Sequence, residues 1–314
     1  MVLRRILARV AGMLVVVWGA ATAAFLVLKL VPGDPVDVML GVSAQASPEL
    51  KQSIRVDLGL DQPLIAQYFS YLGRLVRGDL GTSYQLRLPV TEVIGQQLGY
   101  TLQLAAASLA IAVVIALVGA VLVHGRGARG AVSVLELLAI SSPPFWIGLV
   151  LLSIFAFGLG WFPVAGADGI QGLVLPAVTI ALPVAGILGQ VVRTGLEDAE
   201  AQPFATTARA RGAGPSRLVL RHTLRHASIP ALTLAGYIVG SLLGGAVVVE
   251  SVFARPGLGR VALAAITNRD LPVVMGVIVF TAIVFVLVNL LVDLAYRAID
   301  PRIAPPTTAI RGAR

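Results

Sequence analysis

Along most of this chain, apolar residues neither alternate nor recur at helical spacing but run on without interruption. Continuous apolar stretches occupy residues 10–31, 100–123, 131–157, 170–192, 231–249 and 272–295. Each is close to the ~20 residues an α-helix needs to cross a hydrocarbon core. In lipid every backbone N–H and C=O must be satisfied within the segment, so such runs are helical. The pattern predicts an all-α polytopic membrane protein with six transmembrane helices. Ser141-Ser142-Pro143-Pro144 interrupts the third run, and a double proline there kinks the helix and frees carbonyls. Pro176 and Pro183 lie in the fourth, and Gly236, Gly240, Gly244 and Gly245 suit the fifth to close packing or a pore wall. The first run follows Arg4, Arg5 and Arg9 as a signal peptide would, and Ala21-Thr22-Ala23 looks like a cleavage site. It is longer than a signal-peptide core, so an uncleaved first span is expected.

Between the apolar runs the polar segments have their own patterns. Residues 32–98 are mixed in charge, with turn signals at Pro32-Gly33-Asp34-Pro35 and Arg77-Gly78-Asp79-Leu80-Gly81. Within them Leu64, Tyr68, Leu72 and Leu75 recur at helical spacing and predict an amphipathic helix over residues 62–76, lying on the membrane. Trp161-Phe162-Pro163-Val164 suits an interfacial anchor. The resulting division is an N-terminal segment and first span (1–31), an external subdomain (32–98), a membrane core (99–295) and a tail (296–314). The core includes a cytoplasmic loop at 196–228 and an external loop at 250–272.

The most polar stretch outside residues 32–98 begins at Leu196 and ends at Pro230. Pro203 suits the first turn of a short helix running to Arg211. Gly212-Ala213-Gly214-Pro215 breaks that helix, and Ser216 is a plausible N-cap for a second one carrying Leu220 and Leu224 on one face and Arg217, Arg221 and Arg225 on another. By itself the stretch reads either as a topogenic basic loop or as a helix pair that docks into another protein.

Composition narrows the class. The 314 residues are 57% hydrophobic and 13% charged, and the mean hydropathy of +0.89 excludes an ordinary soluble globule. A net charge of +8 would point to nucleic acid in a soluble domain, but here topology accounts for it: about 15 of the 24 Lys and Arg residues fall in the segments assigned to the inside, with both termini cytoplasmic. With no cysteine, disulfides and thiolate metal sites are excluded. Lys29 and Lys51 are the only lysines and neither ends a G-x-x-x-x-G loop, so the chain carries no nucleotide-binding motif of that type. Glu136, Glu250 and Asp293 lie near span ends, Asp293 four residues before Arg297, and no span offers an acid pair or a Ser/His pair. That argues against an intramembrane enzyme or an ion-coupled carrier. His222 and His226 have i, i+4 spacing without a third ligand, so no metal site is expected.

The order F-x-T-x-A-R-A-R-G-x(9)-H-x-L-R-x-A-x-x-P resembles the cytoplasmic "EAA" loop of ABC importer membrane subunits, in the peptide and nickel importer variant. It comprises Phe204, Thr206 or Thr207, Ala208, Arg209, Ala210, Arg211, Gly212, His222, Leu224, Arg225, Ala227 and Pro230. Thr206 stands where the general motif has Glu, Pro203 where this subfamily often has Asp, and His226 where Asn is usual. LGLDQPLIAQYFSYLGRLVRGDLGTSY, the run from Val248 to Arg260, and Asp300-Pro301-Arg302 extend the likeness over nearly the whole chain. The resemblance implies a non-catalytic permease with the six-helix type I importer fold in a bacterial inner membrane. Its implied partners are a second homologous permease, two ATPase subunits that bind ATP and Mg, and an extracytoplasmic solute-binding protein; no nucleic acid is expected, and no cofactor in this chain. It assigns ATPase coupling to Phe204, Thr207, Ala208, Arg209, Ala210, Arg211, Gly212, His222, Leu224 and Arg225. Glu250, Phe253, Pro256, Gly257 and Gly259 become candidates for an outer gate or binding-protein contact. The substrates within the family's reach are dipeptides, oligopeptides, glutathione, nickel chelates and haem. A self-contained secondary carrier or channel with a merely topogenic loop is the alternative.

Overall fold

The computed structural model describes residues 2–30, 34–40, 47–57, 59–122, 126–166, 169–219 and 246–299, with single positions between 223 and 242. Among these, helices carry the regular structure and strand-like pairing is confined to a bridge between Thr82 and Pro89. In chain order the helices are α1 (Val2–Leu30), α2 (Pro35–Leu40), α3 (Pro48–Asp57), α4 (Leu64–Val76), α5 (Val90–Leu122), α6 (Arg126–Ser141) and α7 (Pro144–Leu151). They continue with α8 (Gln171–Glu200), α9 (Pro203–Ala210), α10 (Pro215–Leu218), α11 (Val247–Val252), α12 (Leu258–Thr267) and α13 (Leu271–Ile299).

Four of these helices are long and apolar enough to cross a membrane, and the count rises to five if α6, α7 and the π-helical turn Leu152–Gly158, bent at a break, are taken as one span. The break falls at the double proline: α6 ends at Ser141 and α7 starts at Pro144. Ser142 donates its hydroxyl to the Leu138 carbonyl at 2.7 Å, satisfying one helix-end acceptor. Pro176 and Pro183, by contrast, leave α8 unbroken. The expected span at 231–249 and the tail beyond 299 fall largely or wholly outside the described residues. The side chains of Asp293 and Arg297, which the sequence pairs, also lie outside the description.

Two compact units divide the chain. The first contains residues 1–107, 144–179 and 242–286. One of its cores joins Val90, Val93 and Ile94 of α5 to Leu258 and Ala265 of α12 and to Val273, Val274 and Val277 of α13. That packing explains why α5 begins some ten residues before the apolar run expected from position 100. Val90, Val93, Ile94 and Leu98 form a helical stripe that α12 and α13 cover.

A second core packs α4 onto α1 and α13 through Tyr71, Phe25, Ala21 and Val279, with Tyr68, Leu72 and Leu75 at its edge. The amphipathic helix thus docks one face on protein helices and leaves Ile65, Phe69 and Val76 exposed on the other. Leu64 is 60% exposed, and Tyr71 takes its place as the buried residue. The Tyr68 and Thr22 hydroxyls are hydrogen-bonded at 2.7 Å, tying α4 to α1.

The second unit contains residues 108–143, 180–241 and 287–314. Here α6 and α8 meet at close range. A Cβ on Gly186 would lie 2.9 Å from the Glu136 carbonyl oxygen, and one on Gly189 would lie 2.6 Å from Glu136 Oε1. Only glycine leaves room for that acid, which forms an ion pair with Arg193 one turn further along α8.

Candidate functional site

The loop from Glu200 to Val219 builds itself from local rules. Pro203 opens α9, where its missing N–H costs nothing. At the other end Gly212 has φ +83, the Gly212 N–H donates to the Arg209 carbonyl at 2.9 Å, and the Ala213 N–H donates to the Ala208 carbonyl at 3.1 Å. These two bonds with a left-handed glycine make a Schellman C-cap. Its apolar contact is present too, because Ala213 packs beside Ala208, Ala205, Leu218 and Phe204. An added Cβ on Gly212 would meet no atom within 4 Å, so backbone conformation alone demands glycine there.

Pro215, not Ser216, starts α10, so the expected N-cap at Ser216 is replaced by a proline in the first turn. Beyond α10, Val219 and Leu224 pack on Val192 and Leu196 of α8 and on Ala120 of α5. The small core of the turn ends at Leu218, and the next residue, Val219, enters the cluster with α8 and α5. Leu224 is half-buried at the edge of that core.

The sequence-assigned residues separate by burial. Ala208 is buried and Phe204 half-buried, whereas Thr207, Arg209, Ala210, Arg211 and Gly212 are exposed. Arg209 pairs with Glu200 at 3.0 Å, an ion pair that ties α9 to the end of α8. At half exposure it is worth at most about 1 kcal/mol. The Thr207 hydroxyl donates to the Pro203 carbonyl. His222 and Arg225 lie outside the described residues.

In the first unit, the segment after α11 is organised by a buried acid. Glu250 is fully buried; its Oε1 accepts the Thr101 hydroxyl at 2.8 Å and its Oε2 accepts the Arg260 N–H at 3.0 Å. Thr101 in turn accepts the Leu258 N–H at 2.9 Å, so one hydroxyl links α5, α11 and the start of α12. Gly257 has extended backbone, but a Cβ there would lie 2.1 Å from Glu250 Oε1, so space and not conformation selects glycine. Arg255 is 1% exposed, 5.9 Å over the Tyr100 ring and 3.5 Å from Gln103 Oε1. Burial pulls its guanidinium below the ordinary range, with Glu250 opposing. Phe253, Gly257 and Gly259 are buried and Pro256 half-buried, so this group is packed into the unit and presents little of itself to solvent.

A second buried acid stands just before α13. Asp270 is 2% exposed and accepts the Ser83 hydroxyl and the Tyr84 N–H, the latter at 3.1 Å, so it pins the 83–85 turn to the start of α13. Burial, and then the Asp270 charge, push the Tyr84 phenol above its ordinary range. Aspartate just before an apolar run is the available sequence signal, but nothing local announces a partner almost two hundred positions away.

Comparison with known proteins places these features. Residues 109–305 match the family model described as binding-protein-dependent transport system inner membrane component, and residues 2–105 match the N-terminal model of the same membrane component. A protein named as a peptide transport system permease of Brucella abortus (strain 2308) is 39% identical over 310 residues, covering 95% of this chain and 98% of that one. The glutathione transport system permease protein of Salmonella choleraesuis (strain SC-B67) is 37% identical over 305 residues, covering 96% and 98%. A crystal structure of an amino acid ABC transporter with histidines shares the fold at TM-score 0.50 and 15% identity, over 73% of this chain and 98% of that one. The chain belongs to the family of binding-protein-dependent transport system inner membrane components and is a multi-pass permease of the peptide-type ABC importer class.

Proposed function

We propose that the chain is one of two permease subunits of an ATP-driven importer for peptides or glutathione-like solutes, with six spans and both termini in the cytoplasm. Two ATPase subunits bind ATP and Mg, and a solute-binding protein delivers the substrate from outside. The substrate class follows the names of the two relatives. The observation that carries the coupling role is the capped α9–α10 turn. Its exposed face of Thr207, Ala210 and Arg211 backs onto an apolar path running from Ala208 through Leu218 and Val219 to α8.

Closure of the ATPase pair around ATP would press on that face. The Schellman turn keeps α9 and α10 at a set angle, so the pair moves together and passes the displacement to Val192 and Leu196. The cycle alternates between two conformations with different affinities for solute.

The test is co-purification from the native host in mild detergent, with ATPase activity assayed on the recovered complex. A complex with a second permease and ATPases, lost or uncoupled in Gly212→Asp while the chain still reaches the membrane, is expected. A chain that purifies alone and moves solute in ATP-free liposomes would sink this reading in favour of a self-contained carrier.

A further inference from the structure

The first unit contains a cavity of about 810 Å³ between α1, α3, α4, the 79–87 turn and the start of α13, within the size range of small-ligand sites. Its position is set by two spans. Phe25 and Lys29 bring the last turns of α1 to it, and Leu271, Pro272 and Met275 bring the first turn of α13. The apolar window of α1 closes at Val27 and that of α13 opens at Leu271, so the cavity lies where the two apolar windows end.

The lining divides by chemistry. Lys29, Arg74, Arg87 and Arg269 contribute four cations against the two carboxylates of Asp57 and Asp79. Met39, Leu40 and Met275 supply an apolar floor with Phe25. Tyr71, 8% exposed, lines the same cavity, and its hydroxyl has no hydrogen-bond partner among the described residues. A buried hydroxyl without a partner forgoes a bond normally made. Burial pushes that phenol up to about 12, so it stays protonated and can only gain by donating to an acceptor.

The geometry points to a binding site for an amphiphilic anion in this cavity: a phosphate or carboxylate head held by Arg74 and Arg87 with the Tyr71 hydroxyl, and a short apolar tail on Phe25, Met39 and Met275. Guanidinium groups match planar oxyanions in two-point contacts. The same head-and-tail chemistry belongs to an anionic phospholipid and to a hydrophobic peptide with a free C-terminus. The inference stands apart from the transport reading, because it concerns binding to this chain alone and needs no ATPase.

The experiment uses the purified full chain in phosphatidylcholine nanodiscs. It is titrated with dihexanoyl phosphatidylglycerol in one arm and with tri-leucine in the other, and binding is read by calorimetry. Tri-leucine amide serves as the neutral-head control. Saturable one-to-one binding is expected in at least one arm, weakened about tenfold in Arg74→Gln/Arg87→Gln and about fivefold in Tyr71→Phe. Arg74 and Arg87 are exposed, so their substitution leaves the fold intact, checked by an unchanged thermal melt. Binding by phosphatidylglycerol alone identifies a lipid site, and binding by tri-leucine but not its amide identifies a solute site. Absence of saturable binding in both arms, or binding indifferent to all three substitutions, overturns the proposal.

Discussion

Gly212 and Gly257 are both glycines that cannot be replaced, for unrelated reasons. At Gly212 the constraint is the left-handed backbone, φ +83, in open surroundings. Gly212→Ala should therefore cost about 1 kcal/mol, and Gly212→Asn less, since Asn tolerates that region better. At Gly257 the backbone is extended and the obstacle is the Glu250 carboxylate. Gly257→Ala should cost about 1–3 kcal/mol through overpacking, and Gly257→Asn should be worse, not better. Thermal melts of the four variants in detergent test this reversal of order. Tyr71 gives a pH prediction at the same scale. Its folded pKa, about 12, lies above the ordinary phenol value of 10.0. The folded state therefore holds a proton that the unfolded state releases, and this contribution, fully present below pH 10, is lost as pH rises towards 12. Absorbance at 295 nm should show a phenol titrating about two units late that disappears in Tyr71→Phe.

Thr101 shows how elements are joined. One hydroxyl donates to Glu250 and accepts from Leu258, so Thr101→Val strands a buried carboxylate oxygen and a buried N–H at once. The expected loss is about 2–4 kcal/mol, combining two unsatisfied groups. A double-mutant cycle with Glu250→Ala should be strongly non-additive, because each substitution already removes the shared bond. In the second unit, Gly189→Ala should displace Glu136 from Arg193 and separate α6 from α8. The melt should fall, and Glu136→Ala in the same chain should restore part of it by vacating the space. Additive losses would show that the acid moves aside freely. None of these contacts was legible beforehand. The sequence places Glu136, Arg193, Thr101 and Glu250 on separate spans, and only helix packing decides which of them meet. Asp270 and Ser83 make the same point across the external turn.

For the whole molecule the open quantity is topology, and the lack of cysteine makes it measurable. Gln85→Cys and Thr206→Cys are both exposed positions on opposite predicted sides. A membrane-impermeant maleimide should label Gln85→Cys in spheroplasts and Thr206→Cys only after permeabilisation. Labelling of both in intact spheroplasts would overturn the assignment of the α9–α10 loop to the cytoplasm.

Apolar runs set the class of this protein by themselves, because backbone polar groups in lipid leave helix as the economical solution whatever the neighbours are. The α9 start at Pro203 and the turn at Gly212 were equally readable, since proline and left-handed glycine act through their own dihedrals. The double-proline break was readable for the same reason, whereas Pro176 and Pro183 show that one proline in a long span does not decide continuity. Tertiary structure decided the rest. It extended α5 back to Val90, chose α1 and α13 as the partners of one face of α4, and brought Glu250 and Asp270 to partners far away in sequence. The physical division is between constraints within a few bonds, which any chain obeys alone, and pairings of buried apolar and polar groups, which exist only once the helices have packed.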